Sequence, residues 1–514
     1  MKKRIVMSLL AGAFLCQAES GSAPRAGVAF RFDDTKPLAH WSGMAELFER
    51  HGCKLSYAIN SQLLTKDEKA KAVLRAVSAK GHTLMDHLPC HGTFQIVARD
   101  QQEFEKYSKL PFADHADPKA RRVFFKYEIN KNDPGNLKFQ GEIKNGELVE
   151  FPKNMAKQLG FTRKIYIPSA NKVYGIEIHN GKKILRSFWR EKITIPDFRG
   201  EMVVLAQNSA VQPPDDVLRF QAETTVKNFQ AMNLPLPKIW IQPGGWECCV
   251  TPQKIRNIYG KEFSYTAADC VPENNLGRNN SFGDPAPEIG RFTMRPDFTG
   301  MDNGQDVQAM KVKIAQSIAK NKVKIFISHM WMHRVKGGWN AYLNGYDELL
   351  QWLKKHNIPV KTQDEWAEIL YSGNSGLQGN ILPSFKNDLD GDGEPDGYEL
   401  QKGATADLQT GIVKIPAGGK LNISDVAGLT RGTARFSLAA KGQKGTVVVV
   451  SCFFVARDRK KNYQEQRKFR LTGDDWQLLQ GEVEVKPAAV TLHYSVRPVG
   501  KDRVIEIKDP EFKH

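Results

Sequence analysis

The stretch that decides the fold runs from Gly27 to Asn60, GVAFRFDDTKPLAHWSGMAELFERHGCKLSYAIN. GVAFRF is a short apolar run with the composition of a buried strand. WSGMAELFERHG places apolar residues at helical spacing and stops at Gly52, and KLSYAIN is a strand again. The same alternation continues with TKDEKAKAVLRAVSAKG, a helix expected to be capped by Thr65 and ended by Gly81, and with the strand HTLMDH. It resumes later in PDDVLRFQAETTVKNFQAM, KIWIQ, FSYTAA, DVQAMKVKIAQSIAKN, KIFISH and YDELLQWLKKHN. Strands alternating with helices predict a parallel β/α architecture over residues 25–372. If that sheet closes as a barrel, the active residues belong at the C-terminal ends of the strands.

Residues 105–210 break the rhythm. RRVFFKYEIN, KFQGEIKNGELVEF, VYGIEIHNGKKIL and EKITI read as strands and hairpins, with Asn145-Gly146 and Asn180-Gly181 as turns. This β-rich insertion carries the excess of positive charge, with 18 Lys and Arg against 8 Asp and Glu between Lys119 and Arg199. It reads either as a lid or packing elaboration, or as a wall that meets an acidic substrate. The net charge of +17 for the 514 residues points the same way, toward anionic partners such as an acidic polysaccharide or a cell surface.

The N-terminus, MKKRIVMSLLAGAFLCQAES, has a basic start, a short apolar run and small residues around Ala18, the pattern of a signal peptide over residues 1–18. A lipid anchor at Cys16 is disfavoured by Leu15 before it. The expectation is an exported chain, secreted, periplasmic or held at the cell surface, with no membrane span and no nucleic-acid partner. Six cysteines then remain, Cys53, Cys90, Cys248, Cys249, Cys270 and Cys452, and their spacing specifies no disulfide framework.

Residues 373–403 form a linker that contains Asp388-Leu-Asp390-Gly-Asp392-Gly-Glu-Pro-Asp396-Gly-Tyr-Glu399, an ungapped match to the D-x-D-x-D-G-x5-E calcium loop. Alternate carboxylates converge on one hard cation, Gly393 allows the sharp turn, and Glu399 closes the site. No long helices flank it, so a structural Ca2+ clip between domains is expected in preference to a switch. The bland alternative is an acidic turn without an ion. Residues 404–514 are short strands and turns, which predicts an all-β sandwich. It resembles the jelly-roll carbohydrate-binding modules of secreted polysaccharide enzymes.

The chemistry-bearing residues fall at predicted strand ends. GHTLMDHLPCH, Gly81 to His91, holds His87 and His91 four apart, on one helical turn or across a loop set by Pro89. Two imidazoles need a carboxylate to complete a divalent metal site. Asp33 and Asp34 end the first strand, where adjacent side chains diverge, so that one can bind metal while the other faces the water. A metal lowers the pKa of that water, and the free Asp takes its proton. His329, closing KIFISH, is the candidate acid for the leaving group. Alone, an H-x3-H pair is more often structural, and an Asp-Asp pair is often a helix cap. Their order along the chain is what carries the reading.

In that order the sequence resembles the polysaccharide deacetylase family, carbohydrate esterase family 4, over residues 27–105 and 215–370. The resemblance implies a distorted (β/α) barrel and a metal-dependent hydrolase that removes N- or O-acetyl groups from a glycan. The family's Thr-Phe-Asp-Asp-Gly appears as Arg31-Phe32-Asp33-Asp34-Thr35, which implies Asp33 as general base and Asp34 as metal ligand. His87 and His91 carry over as ligands of zinc or another divalent transition metal. Ile327-Ser328-His329 carries over as the motif of the general acid, His329, and His82 as a structural histidine. The third motif departs: Gln242-Pro243-Gly244-Gly245-Trp246 replaces Arg-x-Pro-Tyr. Gln242 cannot offer the charged bidentate clamp of an arginine to the catalytic Asp. The backbone N–H near Gly245 is left to polarise the acyl oxygen, and Gln242, Gly245 and Trp246 form the expected substrate loop. Asp269 is a poor match to the aspartate that supports the acidic histidine. His333, four after His329, forms an alternative pair with nothing nearby to complete it. The departures motivate a second reading, a carbohydrate-binding or surface protein on an inactive deacetylase barrel. A third keeps the hydrolase and moves it to an amide or ester outside acetylated sugars.

Overall fold

A computed structural model describes residues 26–34, 37–133, 135–152, 164–179, 182–187, 194–205, 211–241, 243, 250, 252–264, 267–269, 294–297, 307–330, 335–371, 379–456, 461–487 and 489–514. The signal-peptide reading, the loop residues Gln242, Gly245 and Trp246, and His333 lie outside them.

The alternating region forms a seven-stranded parallel sheet. Its order is Ala267–Asp269, Ile239–Ile241, Thr83–Asp86, Ser56–Ile59, Gly27–Asp33, Val323–Ser328 and Met294–Asp297. Among the described residues the sheet does not close on itself. Gly27–Asp33 is buried at every residue, as a strand covered on both faces must be. On one face Val28, Phe30 and Phe32 pack with Trp41, Phe48, Tyr346 and Leu350 of the helices Leu38–Arg50 and Gly338–Lys355. On the other, Ala29, Ala58, Met85, Ile241 and Ile325 form a layer of smaller residues closed by Trp366. Strand alternation puts Arg31 and Asp33 on the face of Ala29.

The helix Glu68–Ala79 is capped by Asp67, whose carboxylate accepts the N–H of Ala70 at 3.0 Å. Thr65 is not the cap. It sits in a preceding 3₁₀ turn and donates its hydroxyl to the carbonyl of Gln62.

The insertion is a small closed antiparallel barrel of its own, in the circular order Lys164–Ile167, Lys172–His179, Lys182–Ser187, Glu147–Glu150, Leu137–Lys144 and Phe198–Val204. Phe139, Ile143, Ile165, Ile176, Leu185 and Met202 fill it. Asn145 and Gly146, at φ 51° and 74°, make the expected turn between Leu137–Lys144 and Glu147–Glu150. Several of its cations are paired within it, as in Lys182–Glu147 and Arg186–Glu177.

Two five-stranded antiparallel sheets form the C-terminal sandwich. Tyr398–Gln401, at the end of the stretch read as linker, is already an edge strand paired with Lys420–Val426. Cys53, Cys90 and Cys452 are free thiols, and Cys16, Cys248, Cys249 and Cys270 lie outside the described residues. Among the described residues no helix is long and apolar enough to cross a membrane.

Candidate metal centre

Asp34, after the strand Gly27–Asp33, and His87 and His91, in the turn after Thr83–Asp86, come together at the C-terminal edge of the parallel sheet, and their donor atoms lie within 4.8 Å of one another. Asp34 Oδ1 is 3.0 Å from His91 Nε2 and 3.3 Å from His87 Nε2. Burial raises the pKa of the Asp34 carboxyl, but the two histidine side chains against its oxygen outweigh it and hold the group far below the usual carboxylate range.

The backbone is bent to make this meeting possible. Asp34, Leu88 and His91 all have left-handed φ angles, of 71°, 62° and 55°, and Met330 beside His329 has 48°. Such angles cost non-glycine residues on the order of 1–3 kcal/mol each, and they persist where the surroundings over-determine them. Residues 87–91 form a turn rather than a helix. The turn is held from below by Asn60, whose amide donates to the carbonyl of His87 at 2.7 Å. It is held from the side by Asp86, fully buried, whose Oδ1 accepts the N–H of Leu88 at 2.8 Å and the Thr225 hydroxyl at 2.9 Å.

His87 Nδ1 lies 3.2 Å from the carbonyl oxygen of Ile241. A carbonyl only accepts, so Nδ1 is the donor in this contact. The Nε2 of His87 is buried and makes no hydrogen bond. Two imidazoles, one of them with its Nε2 buried at the cluster, and one carboxylate are the donor set of a borderline divalent metal, and the residues present fit one.

Asp33 points elsewhere. It is 2 % exposed, and Arg31 grips it with two contacts, Nε to Oδ1 at 2.8 Å and Nη2 to Oδ2 at 3.0 Å. His329 is half-buried and is the first residue after Val323–Ser328. That strand pairs with Gly27–Asp33 in the register Phe32 to Ser328, so His329 comes level with Asp33 at the same edge. Asp269 ends a strand in register with Ile241. His82 is buried away from the cluster, accepting the N–H of Leu55 and facing Glu49.

Reading the sequence missed Arg31, Asp86, Asn60 and Thr225. For Arg31 a signal existed: it lies two residues before Asp33 on a strand and so shares its face.

In the second acidic group, oxygens of Asp388, Asp390 and Asp392 lie within 4.8 Å of one another. Asp388 also accepts the N–H groups of Gly391, Asp392 and Gly393. Asp396 is 4 % exposed, with Oδ2 on the Leu389 N–H and Oδ1 buried without a hydrogen bond. Glu399 is not gathered with them. It faces Gln401 and Asn422 on the sandwich.

No protein-family model matches the chain, and no curated protein matches it. Among solved structures, the Xyl-CE4 domain of a multidomain xylanase from the hindgut metagenome of Trinervitermes trinervoides matches at 10 % identity. The match covers 67 % of this chain and 90 % of that one at a TM-score of 0.28. The CBM22-1 xylan-binding domain from Paenibacillus barcinonensis Xyn10C matches at 14 % identity, covering 27 % of this chain and 96 % of that one at 0.22. TmCBM61 in complex with β-1,4-galactotriose matches at 15 % identity, 26 % and 97 % coverage, and 0.20. At these TM-scores the likenesses are faint and assign nothing to this chain.

Proposed function

We propose that the chain is an exported hydrolase that removes acetyl groups from a polysaccharide, using a divalent transition metal such as zinc held by Asp34, His87 and His91. The observation that carries the reading is the convergence of these three donors at the sheet edge, with His87 Nε2 buried and unbonded. When bound, the metal supplies Lewis-acid activation of water and of the acyl oxygen. Asp33 takes the proton of the attacking water as general base. His329, level with it across the sheet edge, gives a proton to the departing amine or alcohol as general acid. Gln242, Gly245 and Trp246 form the loop that receives the substrate.

Asp388, Asp390, Asp392 and Asp396 hold Ca2+ in this reading, supported by the clustered carboxylates and by the buried, unbonded Oδ1 of Asp396. The sandwich is then a carbohydrate-binding module, and the partner a polysaccharide, anionic ones included.

The test combines elemental analysis of the mature chain with acetate release from acetylxylan, chitin oligomers and peptidoglycan fragments, beside Asp34→Ala. About one transition metal per chain, lost in the variant together with acetate release, is the expected result. A variant that keeps its metal refutes the site. Metal and glycan binding without acetate release from any polymer favour the inactive, carbohydrate-binding reading, which the substitution at Gln242 motivates.

A further inference from the structure

We propose that Arg31 is the positioning residue of Asp33, a role that lies inside the first strand itself. The inference rests on the hydrolase reading for its consequence in catalysis, but its geometry stands alone. Both residues are 2 % exposed, so water does not compete for the contact. The guanidinium meets the carboxylate through Nε and Nη2, one to each oxygen, at 2.8 and 3.0 Å. A paired contact of this kind fixes the plane of the carboxylate as well as its place, which a single donor cannot do.

The strand fixes the arginine in turn. Arg31 is registered against Ile327 on one side and Ser56 on the other, and Gln363 Oε1 stands 3.5 Å from its Nη1. The chain turns directly after Asp33, at the left-handed Asp34, which sends the two adjacent carboxylates to different partners. Asp33 goes to Arg31, and Asp34 to His87 and His91. An ionised carboxylate has about four acceptor positions. The two contacts occupy one on each oxygen, so the direction of the carboxylate is fixed without filling its acceptor positions. The chain carries Gln242 where the family it resembles has an arginine, so the charge that orients this aspartate comes from the same strand, two residues earlier.

A purely structural ion pair would look the same, so the test separates the two. Arg31→Met, Asp33→Asn and the double variant are compared as full-length, zinc-loaded proteins, with 4-nitrophenyl acetate as the probe, metal content by elemental analysis, and crystal structures of wild type and Arg31→Met. A positioning residue predicts that Arg31→Met keeps its metal and its KM within about threefold, loses kcat by about 100-fold, and shows the Asp33 carboxylate turned from its place. It also predicts that Arg31→Met adds less than about threefold in the Asp33→Asn background, because the arginine acts only through that carboxylate.

An equal further loss in that background, or an Asp33 carboxylate unmoved in Arg31→Met, overturns the proposal. If Arg31→Met does not fold, Arg31→Lys keeps the charge with one contact, and the same displacement of Asp33 with an intermediate kcat is expected. If the wild type releases no acetate from any substrate, the hydrolase reading falls, and the crystallographic position of Asp33 alone decides the proposal.

Discussion

The hydroxyl of Thr225 donates to Asp86 Oδ1 at 2.9 Å, tying the helix Asp215–Ala231 to the end of the strand Thr83–Asp86. The same oxygen takes the N–H of Leu88, so one carboxylate holds the turn from which His87 and His91 project. Thr225→Val removes the hydroxyl at nearly constant volume. It should cost about 1 kcal/mol of stability and weaken metal binding by roughly 10-fold, the scale of an outer-shell loss. Competition titration with a chelator measures the second effect, and unchanged metal affinity would show that the turn holds itself.

Much of this site was legible in sequence because its parts lie at strand ends. FDD, the H-x3-H pair and ISH each follow a buried apolar run, and parallel strands bring such ends to one edge. Arg31 was harder to see: it looked like a substitution in the FDD motif, and only the strand's two-residue period reveals it as the partner of Asp33. The cap at Asp67 was lost to Thr65 because both residue types cap helices, and geometry alone chooses between them. The insertion's closure was not legible at all. It depends on pairing Leu137–Lys144 with Phe198–Val204 and Lys164–Ile167 with Phe198–Val204, contacts remote in sequence that no local pattern encodes. Glu399 fits the calcium pattern by spacing, yet its strand pairing with Asn422 takes it to the sandwich.

Gly27 separates fold from site. A Cβ there would stand 2.3 Å from Trp366 Cζ2 and 2.5 Å from the carbonyl oxygen of Pro359. Trp366 is fully buried and donates its indole N–H to Val28, so it has little freedom to retreat. Gly27→Ala should destabilise by about 1–3 kcal/mol through overpacking. Because Gly27 begins the strand whose far end carries Asp34, metal stoichiometry at 20 °C should stay as in wild type. A melt that does not move would mean that this corner of the core is loosely packed.

Asn321 joins the parallel-sheet region to the sandwich. Its side-chain amide donates to the carbonyl of Ile381 at 2.9 Å and lies 3.4 Å from that of Ala427, and its φ is 56°. Asn321→Ala loses those hydrogen bonds and puts alanine in a left-handed position. The combined cost should be about 2–3 kcal/mol. Differential scanning calorimetry should then show the two regions melting further apart than in wild type, and a single unshifted transition would count against the contact.

Asp396 gives the acidic loop a pH signature. Burial, followed by the charges of Asp390, Asp388 and Asp392, pushes its carboxyl from the ordinary 3.8 up to about 6. Asp390 is shifted in the same direction, mainly by burial. A carboxyl raised in the folded state keeps a proton that the unfolded chain has released, so between about pH 4 and pH 6 the native form binds more protons. Stability without metal is therefore greatest below the unfolded value and declines as pH rises through the folded value, by roughly 1–2 kcal/mol once solvent screening at the loop is allowed for. A calcium ion reverses the sign, because it requires the carboxylates ionised and stabilises the chain most above the folded value. Thermal melts in chelator should fall more steeply across this window for wild type than for Asp396→Asn. Added calcium should restore the wild type at neutral pH and do much less for the variant. Equal calcium stabilisation of both chains would remove Asp396 from the site, and no calcium effect on either would leave the loop an acidic turn.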